Sequence, residues 1–372
     1  MKNKVKYIIG SIVFVILIAL IMGFLNKNCM AHYYFERMTG HEYPDISGYH
    51  KVTVDEMNGT TDQDKEQKIK KIMAKDKING IVLFGDSSKK PNIVESDQSN
   101  DAKNKIGPNV LYPIASLQKV YTGIAIQKLI DEHKISLSTT INKFYPKIAN
   151  SNKITVGDLL SHISGIDDGN QQTPVVLKNE NDALSFVEKD LNSTGKIGKW
   201  NYSDSDYALL AGIVSKVSGM GYQDYINKNI LVPYKLRNTK FYNQVNDKAN
   251  VISGNMQSTG NDLCFETLKK KMSVALGAGG MFSSAIDYWN FVNALTSNKI
   301  IPLSEITSNT NRYYDGVYLG QGTIHADGAM NGCQSCFIAN YDSNQTFIFF
   351  SNNISFKQML KIRGKLAKIC FE

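Results

Sequence analysis

The 372-residue chain predicts an α+β fold, an antiparallel sheet flanked by helices with an all-helical subdomain, preceded by one N-terminal transmembrane helix. Three observations carry this. Strand-like runs sit at both ends of the chain, helical patterns fill the middle, and one long apolar run stands near the start. A sheet built from both ends with a helical insertion beside it leaves a cleft between the two parts, a common place for a site.

Lys2, Lys4 and Lys6 precede an uncharged stretch from Tyr7 to Leu25. That length spans a hydrocarbon core as a helix, and no small-x-small cleavage site follows it. Lysines before the run and none within it place the N-terminus in the cytoplasm and the rest of the chain outside. Bulky Asn28 before Cys29 argues against a lipid-modified cysteine. The organisation expected is a cytoplasmic stub and anchor over 1–30, a linker over 31–65, and one catalytic domain over 66–372. Its helical subdomain covers about 135–260.

Asp62 to Lys77 carries Ile69, Ile72 and Met73 at helical spacing. Ile78 to Phe84 reads as a strand ending in the turn Gly85-Asp86, and 87–107 as exposed hairpin and loop. A helix is expected from Ser116 to about Glu132. Further helices are predicted at Val156–Ser161, Asp182–Glu188, Asp204–Val217, Tyr222–Ile230 and Ile286–Leu295. Strands are predicted at Tyr313–Tyr318, Cys333–Tyr341 and Thr346–Ser351, before a basic closing helix, Phe356–Ile369. Lys357, Lys361, Lys365 and Lys368 form its solvated face.

Composition excludes several classes. Hydrophobic residues make up 42%, enough for a sizeable core. The net charge is +8, but Lys2, Lys4, Lys6 and Lys27 meet no acid in the first 30 residues, leaving +4 for the rest, too little to argue for nucleic acid. Five cysteines are an odd count for a disulfide framework. Cys333-x-x-Cys336 lacks a second pair or a flanking histidine, so no metal is expected.

Ser116-Leu117-Gln118-Lys119 is an S-x-x-K at a predicted helix start. Residues i and i+3 share a helical face, so the hydroxyl and the amine can meet. A helix N-terminus favours negative charge on the serine oxygen, and a buried lysine can lose its proton and act as base. On this segment alone, an N-cap serine with an exposed lysine stands as an equal alternative. Tyr202-Ser203-Asp204 precedes an apolar helix. Tyr202 could relay a proton to a leaving group, and Asp204 could instead cap that helix. The run Gly277 to Gly280 lacks the Lys-Ser/Thr of a phosphate loop, so no nucleotide is expected.

In order along the chain, these segments resemble the penicillin-binding protein and class C-like β-lactamase family, including Gram-positive teichoic-acid D-alanyl esterases. The resemblance covers roughly residues 65–370. Ser116–Lys119 matches S-x-x-K, and Leu159-Leu160-Ser161-His162-Ile163-Ser164-Gly165 matches L-L-x-H-x-S-G. Tyr202-Ser203-Asp204 stands for Y-x-N, and 277–287 is similar to G-A-G-G-x-x-S-T-x-x-D. The resemblance implies Ser116 as nucleophile, Lys119 as base, Tyr202 as proton relay, and His162 in a structural turn. It implies no cofactor.

Two departures bear on substrate. Asp204 stands where the family has Asn, and an ionised Asp only accepts hydrogen bonds. The third motif, K-T-G or H-x-G, is best matched at His325-Ala326-Asp327-Gly328, which puts Ala326 at the usual cationic position. A site without that cation favours a substrate without a carboxylate. Asp204 and Asp327 are candidates to meet a ligand amine, His325 to line the site, and Gly328 and Ala329 to form the oxyanion edge. The expectation is a membrane-anchored extracellular serine hydrolase releasing D-alanine from teichoic acid. The alternatives are a D,D-carboxypeptidase or transpeptidase acting on peptidoglycan stem peptides, and a catalytically silent wall-binding or sensor protein.

Overall fold

The computed structural model describes residues 62–97, 105–246, 251, 252, 254 and 265–372. The expected anchor at Tyr7–Leu25, most of the expected linker, Cys29 and Cys264 lie outside the described residues. Among the described residues no helix is long and apolar enough to cross a membrane. The last residues assigned above to the linker are already helical, because α1 spans Asp62–Lys75 and buries Ile69 and Met73.

The chain continues through β1 (Gly80–Asp86), β2 (Asn92–Ser96) and β3 (Tyr112–Pro113). A 3-10 turn, Ala115–Leu117, runs into α2 (Gln118–Asp131). Next come α3 (Val156–Leu160), β4 (Ile166–Asp167), α4 (Glu180–Asp190), β5 (Asn192–Ser193) and α5 (Asp204–Ser218). Helix α6 (Tyr222–Ile226) passes into a π turn, Asn227–Leu231, and β6 (Thr239–Phe241) follows. Then come α7 (Phe265–Val274), β7 (Met281–Ser283), α8 (Ala285–Thr296) and α9 (Ser304–Thr307). The C-terminal part is β8 (Tyr313–Tyr314), β9 (Val317–Gly320), β10 (Thr323–Met330), β11 (Cys333–Asn340), β12 (Gln345–Ser351) and α10 (Phe356–Phe371).

The main sheet has seven strands in the order β2-β1-β12-β11-β10-β9-β8. Both ends of the chain build it, since β1 pairs antiparallel with β12 from Gly80↔Ser351 to Asp86↔Gln345. A smaller sheet, β3-β7-β6, carries the chain towards Ser116. Alternation along the strands sends successive side chains to opposite faces. One set, Val82, Phe84, Cys336, Ile338, Phe347 and Phe349, forms a core with Met73 of α1 and with Met359, Leu366 and Cys370 of α10. The other set packs on α8, where the Tyr288 ring lies 5.7 Å from Phe337 and 5.9 Å from Phe350.

The C-terminal strands differ from expectation at two turns. The predicted single strand Tyr313–Tyr318 is a hairpin, β8–β9, closed at Asp315-Gly316 with φ of 51° and 86°. β10 and β11 are joined in the same way at Asn331-Gly332, with φ of 49° and 79°. Asp-Gly and Asn-Gly suit two-residue hairpins because both central residues need positive φ. The three described cysteines, Cys333, Cys336 and Cys370, are buried free thiols, and burial pushes the Cys333 thiol up to about 12.

Register corrects the reading of Asp327. It pairs with Cys336, so it points to the face that α10 covers. There Arg363 Nη1 donates to both its carboxylate oxygens at 2.5 Å, with the two side chains 1% and 3% exposed. This carboxylate is committed to an internal partner and does not meet a ligand amine. Removing one member of such a pair strands the other charge in the core. Asp327→Ala is therefore expected to lose about 3–5 kcal/mol of unfolding free energy in urea. Asp327→Leu combined with Arg363→Met should recover most of that loss; equal losses in the single and the double variant would mean the ion pair is not the cause.

Candidate active site

Ser116 emerges from a tightly held stretch. Between Val110 and Gln127 it is the one residue that is not buried. The entry is fixed on both sides: Ile114 N–H donates to Met281 O at 3.1 Å, and Ile114 O accepts from Ser335 Oγ at 2.9 Å. Ala115 takes φ of 47°, an uncommon value for a residue with a side chain, and turns the chain into the 3-10 step before α2. The expected helix from Ser116 thus begins as a 3-10 turn, with Ser116 in that turn and Lys119 in the first turn of α2.

Helix α2 has only a weakly amphipathic pattern because nearly all of it is core. Lys119 is wholly buried, so its ammonium must find acceptors within the protein. It donates to Asp204 Oδ1 at 2.7 Å, Ser116 Oγ at 3.1 Å and Ala278 O at 3.2 Å. The rings of Tyr202 and Tyr207 lie 4.8 and 5.7 Å from the nitrogen. Tyr202 donates its hydroxyl proton to Ser116 Oγ at 2.9 Å. Four sequence candidates, Ser116, Lys119, Tyr202 and Asp204, therefore converge on one oxygen and one nitrogen. Asp204 is the open side of the ion pair, 28% exposed.

Asp204 does not cap α5. That work belongs to Asp168, which sequence reasoning missed. Its carboxylate accepts from Asp204 N–H at 3.1 Å, Ser205 N–H at 2.8 Å and Ser203 Oγ at 2.7 Å. The first-turn amides of α5 are satisfied from another segment, and the Asp204 side chain is left for Lys119. The L-L-x-H-x-S-G segment lies behind Tyr202. His162 packs 4.3 Å from the Tyr202 ring and bonds Asp206 through Nδ1 at 2.9 Å, while Ser164 Oγ donates to Asp206 at 2.6 Å. Burial pushes the Asp206 carboxyl well above the usual range. Tyr313, read from the sequence only as the start of a strand, closes this packing 4.7 Å from His162.

The glycine run serves helix packing. Ala278 O binds Lys119, Gly277 O accepts from Thr122 Oγ1 at 2.6 Å, and a side chain at Gly277 would come within 2.5 Å of Tyr207 O. Opposite it, the Asp315-Gly316 turn presses on α2. A Cβ at Gly316 would sit 2.4 Å from the Lys119 carbonyl carbon, and one at Gly123 2.7 Å from the Asp315 Cα.

The third-motif strand is brought only partly to the serine. Gly328 lies against the entry segment, where a Cβ would be 2.5 Å from Ile114 O and 3.2 Å from Ala115 Cβ. β9 covers β10 only as far as His325, so the edge at Gly328 and Ala329 extends past that partner strand. Ala326 pairs with Phe337 and offers no cation. His325 is buried and stacked 4.9 Å from Tyr318. Burial and the nearby Arg363 and Arg312 hold its pKa well below the ordinary range. Two tyrosines, Tyr318 and then Tyr313, stand between His325 and the Tyr202 ring.

A serine bonded to a buried lysine and a tyrosine, on a helix beneath an antiparallel sheet, is the arrangement for acyl transfer. The model of the β-lactamase family matches residues 66–355. The chain belongs to the β-lactamase family. This hydrolase is 24% identical over 317 residues to a Bacillus subtilis (strain 168) protein named as a penicillin-binding protein, PbpX, covering 82% of this chain and 78% of that one. It is 27% identical over 238 residues to a Staphylococcus aureus protein named teichoic acid D-alanine hydrolase. That match covers 63% of this chain and 59% of the relative, so it spans well under two thirds of the relative's length. The crystal structure of FmtA from Staphylococcus aureus superposes with a TM-score of 0.71 at 21% identity, covering 83% of this chain and 88% of that one, a likeness of fold. The chain is thus a serine hydrolase of the β-lactamase and penicillin-binding-protein family.

The turn that presses on α2 titrates. Asp315 is fully buried and accepts from Gln127 Nε2 at 2.6 Å. Burial, against that hydrogen bond and with Glu305 nearby, raises its carboxyl to about 8. The acid binds protons in the folded state that it has released in the unfolded state between about pH 4 and pH 8. Its contribution is thus complete below pH 4 and is lost as pH rises through 8. The thermal midpoint of the wild type should fall more steeply over that window than that of Asp315→Asn, measured by scanning calorimetry. Parallel pH profiles would show that Asp315 ionises as it does in water.

Proposed function

We propose that this hydrolase releases D-alanine esterified to teichoic acid, acting outside the cell from an N-terminal membrane anchor. The observation that carries the reading is the pairing at the nucleophile. A partly exposed carboxylate, Asp204, lies beside Ser116 and Lys119, and the usual carboxylate-binding position is Ala326. A D-alanyl ester presents a free ammonium and no carboxylate, which fits this charge pattern. A peptide ending in D-Ala-D-Ala presents the opposite charge and finds no cation at Ala326. The name of the Staphylococcus aureus relative supports the same substrate class.

The three hydrogen bonds from Lys119 occupy all three protons of an ammonium. For attack, Lys119 first releases one of those protons to solvent, and the freed amine lone pair takes the proton from Ser116 Oγ. The serine oxygen then bonds to the ester carbonyl carbon. Backbone N–H groups of Ser116 and Ala329 receive the oxyanion. As the tetrahedral intermediate collapses, Tyr202 gives its proton to the departing polyol oxygen, and Tyr202 is restored from Lys119. Water, deprotonated by the same groups, cleaves the acyl-serine and frees D-alanine. Asp204 thus stays ionised and is left to meet the ammonium of the substrate.

The test is to incubate the protein with D-alanylated lipoteichoic acid and with a peptide ending in D-Ala-D-Ala, and to measure free D-alanine from each. Faster release from the polymer is expected. Ser116→Ala should abolish it, and Lys119→Ala should lower the rate by about 10²–10⁴-fold. Asp204→Asn should lower ester turnover and narrow the difference between the substrates. Cleavage of the peptide alone would establish a carboxypeptidase. Failure of both substrates, with no covalent adduct at Ser116 after a fluorophosphonate, would establish a silent binding protein.

A further inference from the structure

Beyond the small sheet that leads to Ser116, a cavity of about 500 Å³ opens between the π turn after α6 and strand β6. Lys235, Arg237 and Lys240 line it together with Asn227 and Gln244, over a floor that includes Leu236. All three cations are exposed, and none of them has a carboxylate within ion-pair distance among the described residues. The acid just beneath, Asp287, is buried and already accepts from Asn238 N–H at 2.6 Å and Thr239 Oγ1 at 3.2 Å. Three like charges facing one concavity repel each other, and an anion placed among them relieves that repulsion.

Register ties the cavity to the catalytic serine. Lys240 pairs with Phe282 of β7, and Pro113 pairs with the same Phe282 from the other side. Two strand spacings, about 10 Å, therefore separate the backbone at Lys240 from that at Pro113. Ser116 lies three residues further along the chain. A linear polyanion with its ester at Ser116 needs only a few repeat units to reach the cavity. Asn227 and Gln244 add neutral donors and acceptors suited to polyol hydroxyls, and the fork of Arg237 suits the paired oxygens of a phosphodiester.

We infer that this cavity is a docking subsite for the phosphodiester backbone of a polyol-phosphate polymer, an inference that rests on the teichoic acid reading above. The subsite binds the polymer by its phosphates, while the catalytic cluster recognises the D-alanyl group. It therefore sets KM for polymeric substrate and leaves the chemical step unchanged.

The experiment compares the full chain, in a non-ionic detergent, with the triple variant Lys235→Gln, Arg237→Gln, Lys240→Gln. All three positions are exposed, so the fold should persist, and circular dichroism checks it. On D-alanylated lipoteichoic acid the variant should show a KM about tenfold higher, three contacts each at the strength of an exposed ion pair. Its kcat, and its turnover of a small soluble D-alanyl ester, should match the wild type. Raising sodium chloride from about 0.05 to about 0.3 M should raise the wild-type KM and barely move that of the variant. Unchanged KM and salt dependence in the variant would overturn the subsite while leaving the proposed function standing. If the wild type cleaves neither substrate, the proposed function fails, and binding of D-alanine-free poly(glycerol phosphate) still decides the subsite: weaker binding by the variant supports it, equal binding overturns it. Loss of binding to phosphatidylglycerol vesicles, with polymer binding intact, would assign the cations to lipid and overturn the polymer inference.

Discussion

An ammonium group with no exposed surface organises this structure. Burying a charge is costly unless every donor is answered, and Lys119 has three. Each acceptor belongs to a different element: Ser116 in the 3-10 turn, Asp204 at the head of α5, and Ala278 in the glycine run. To satisfy one nitrogen, the chain must bring three segments to within a few ångströms of α2. The approach of the glycine run to α5 leaves no room for a side chain at Gly277, and the separate approach of the Asp315-Gly316 turn to α2 leaves none at Gly316 or Gly123. A further layer holds the acceptors in turn. Asp168 fixes the backbone of Asp204, while His162 and Asp206 support Tyr202. The site is thus a consequence of how a buried cation is housed.

Much of this was legible in the sequence, for identifiable reasons. The S-x-x-K spacing is a local helical geometry, so Ser116 and Lys119 could be paired by counting residues. Tyr202 and Asp204 could be placed by the order of motifs. Alternating and amphipathic runs gave most elements to within a few residues. The rest was out of reach for two different causes. Asp168 acts across 35 to 37 residues through one hydroxyl and two backbone amides, and no spacing in the chain announces that. Asp327, in contrast, was misplaced although the rule was available. If Gly328 faces the serine, period-two alternation sends its neighbour to the opposite face, where Arg363 waits. The two Asp-Gly and Asn-Gly hairpins were also open to reading, since that dipeptide between strand-like runs is a turn signal.

The same period-two logic separates the two tasks of β10. One face of the strand meets the segment that carries the nucleophile through Gly328, which has no side chain to offer. The other bears Asp327, paired with Arg363 of α10, and His325, stacked on Tyr318. Substitutions at the Asp327–Arg363 pair therefore act on stability, and substitutions along the Gly328 edge act on what the serine can accept.

The pairing of β1 with β12 has a consequence for how the molecule comes into being. Ser351 and Asn79, bonded across this junction, are 272 residues apart. β12, a central strand, leaves the ribosome long after β1, so the sheet stays open while everything between them is made. Loop closure over such a span is slow compared with local helix formation. The helical middle can condense early, but β1 waits with its apolar edge uncovered until β12 arrives. Folding of this hydrolase is therefore gated by β12, the strand that closes the sheet, and by α10, the helix that covers it.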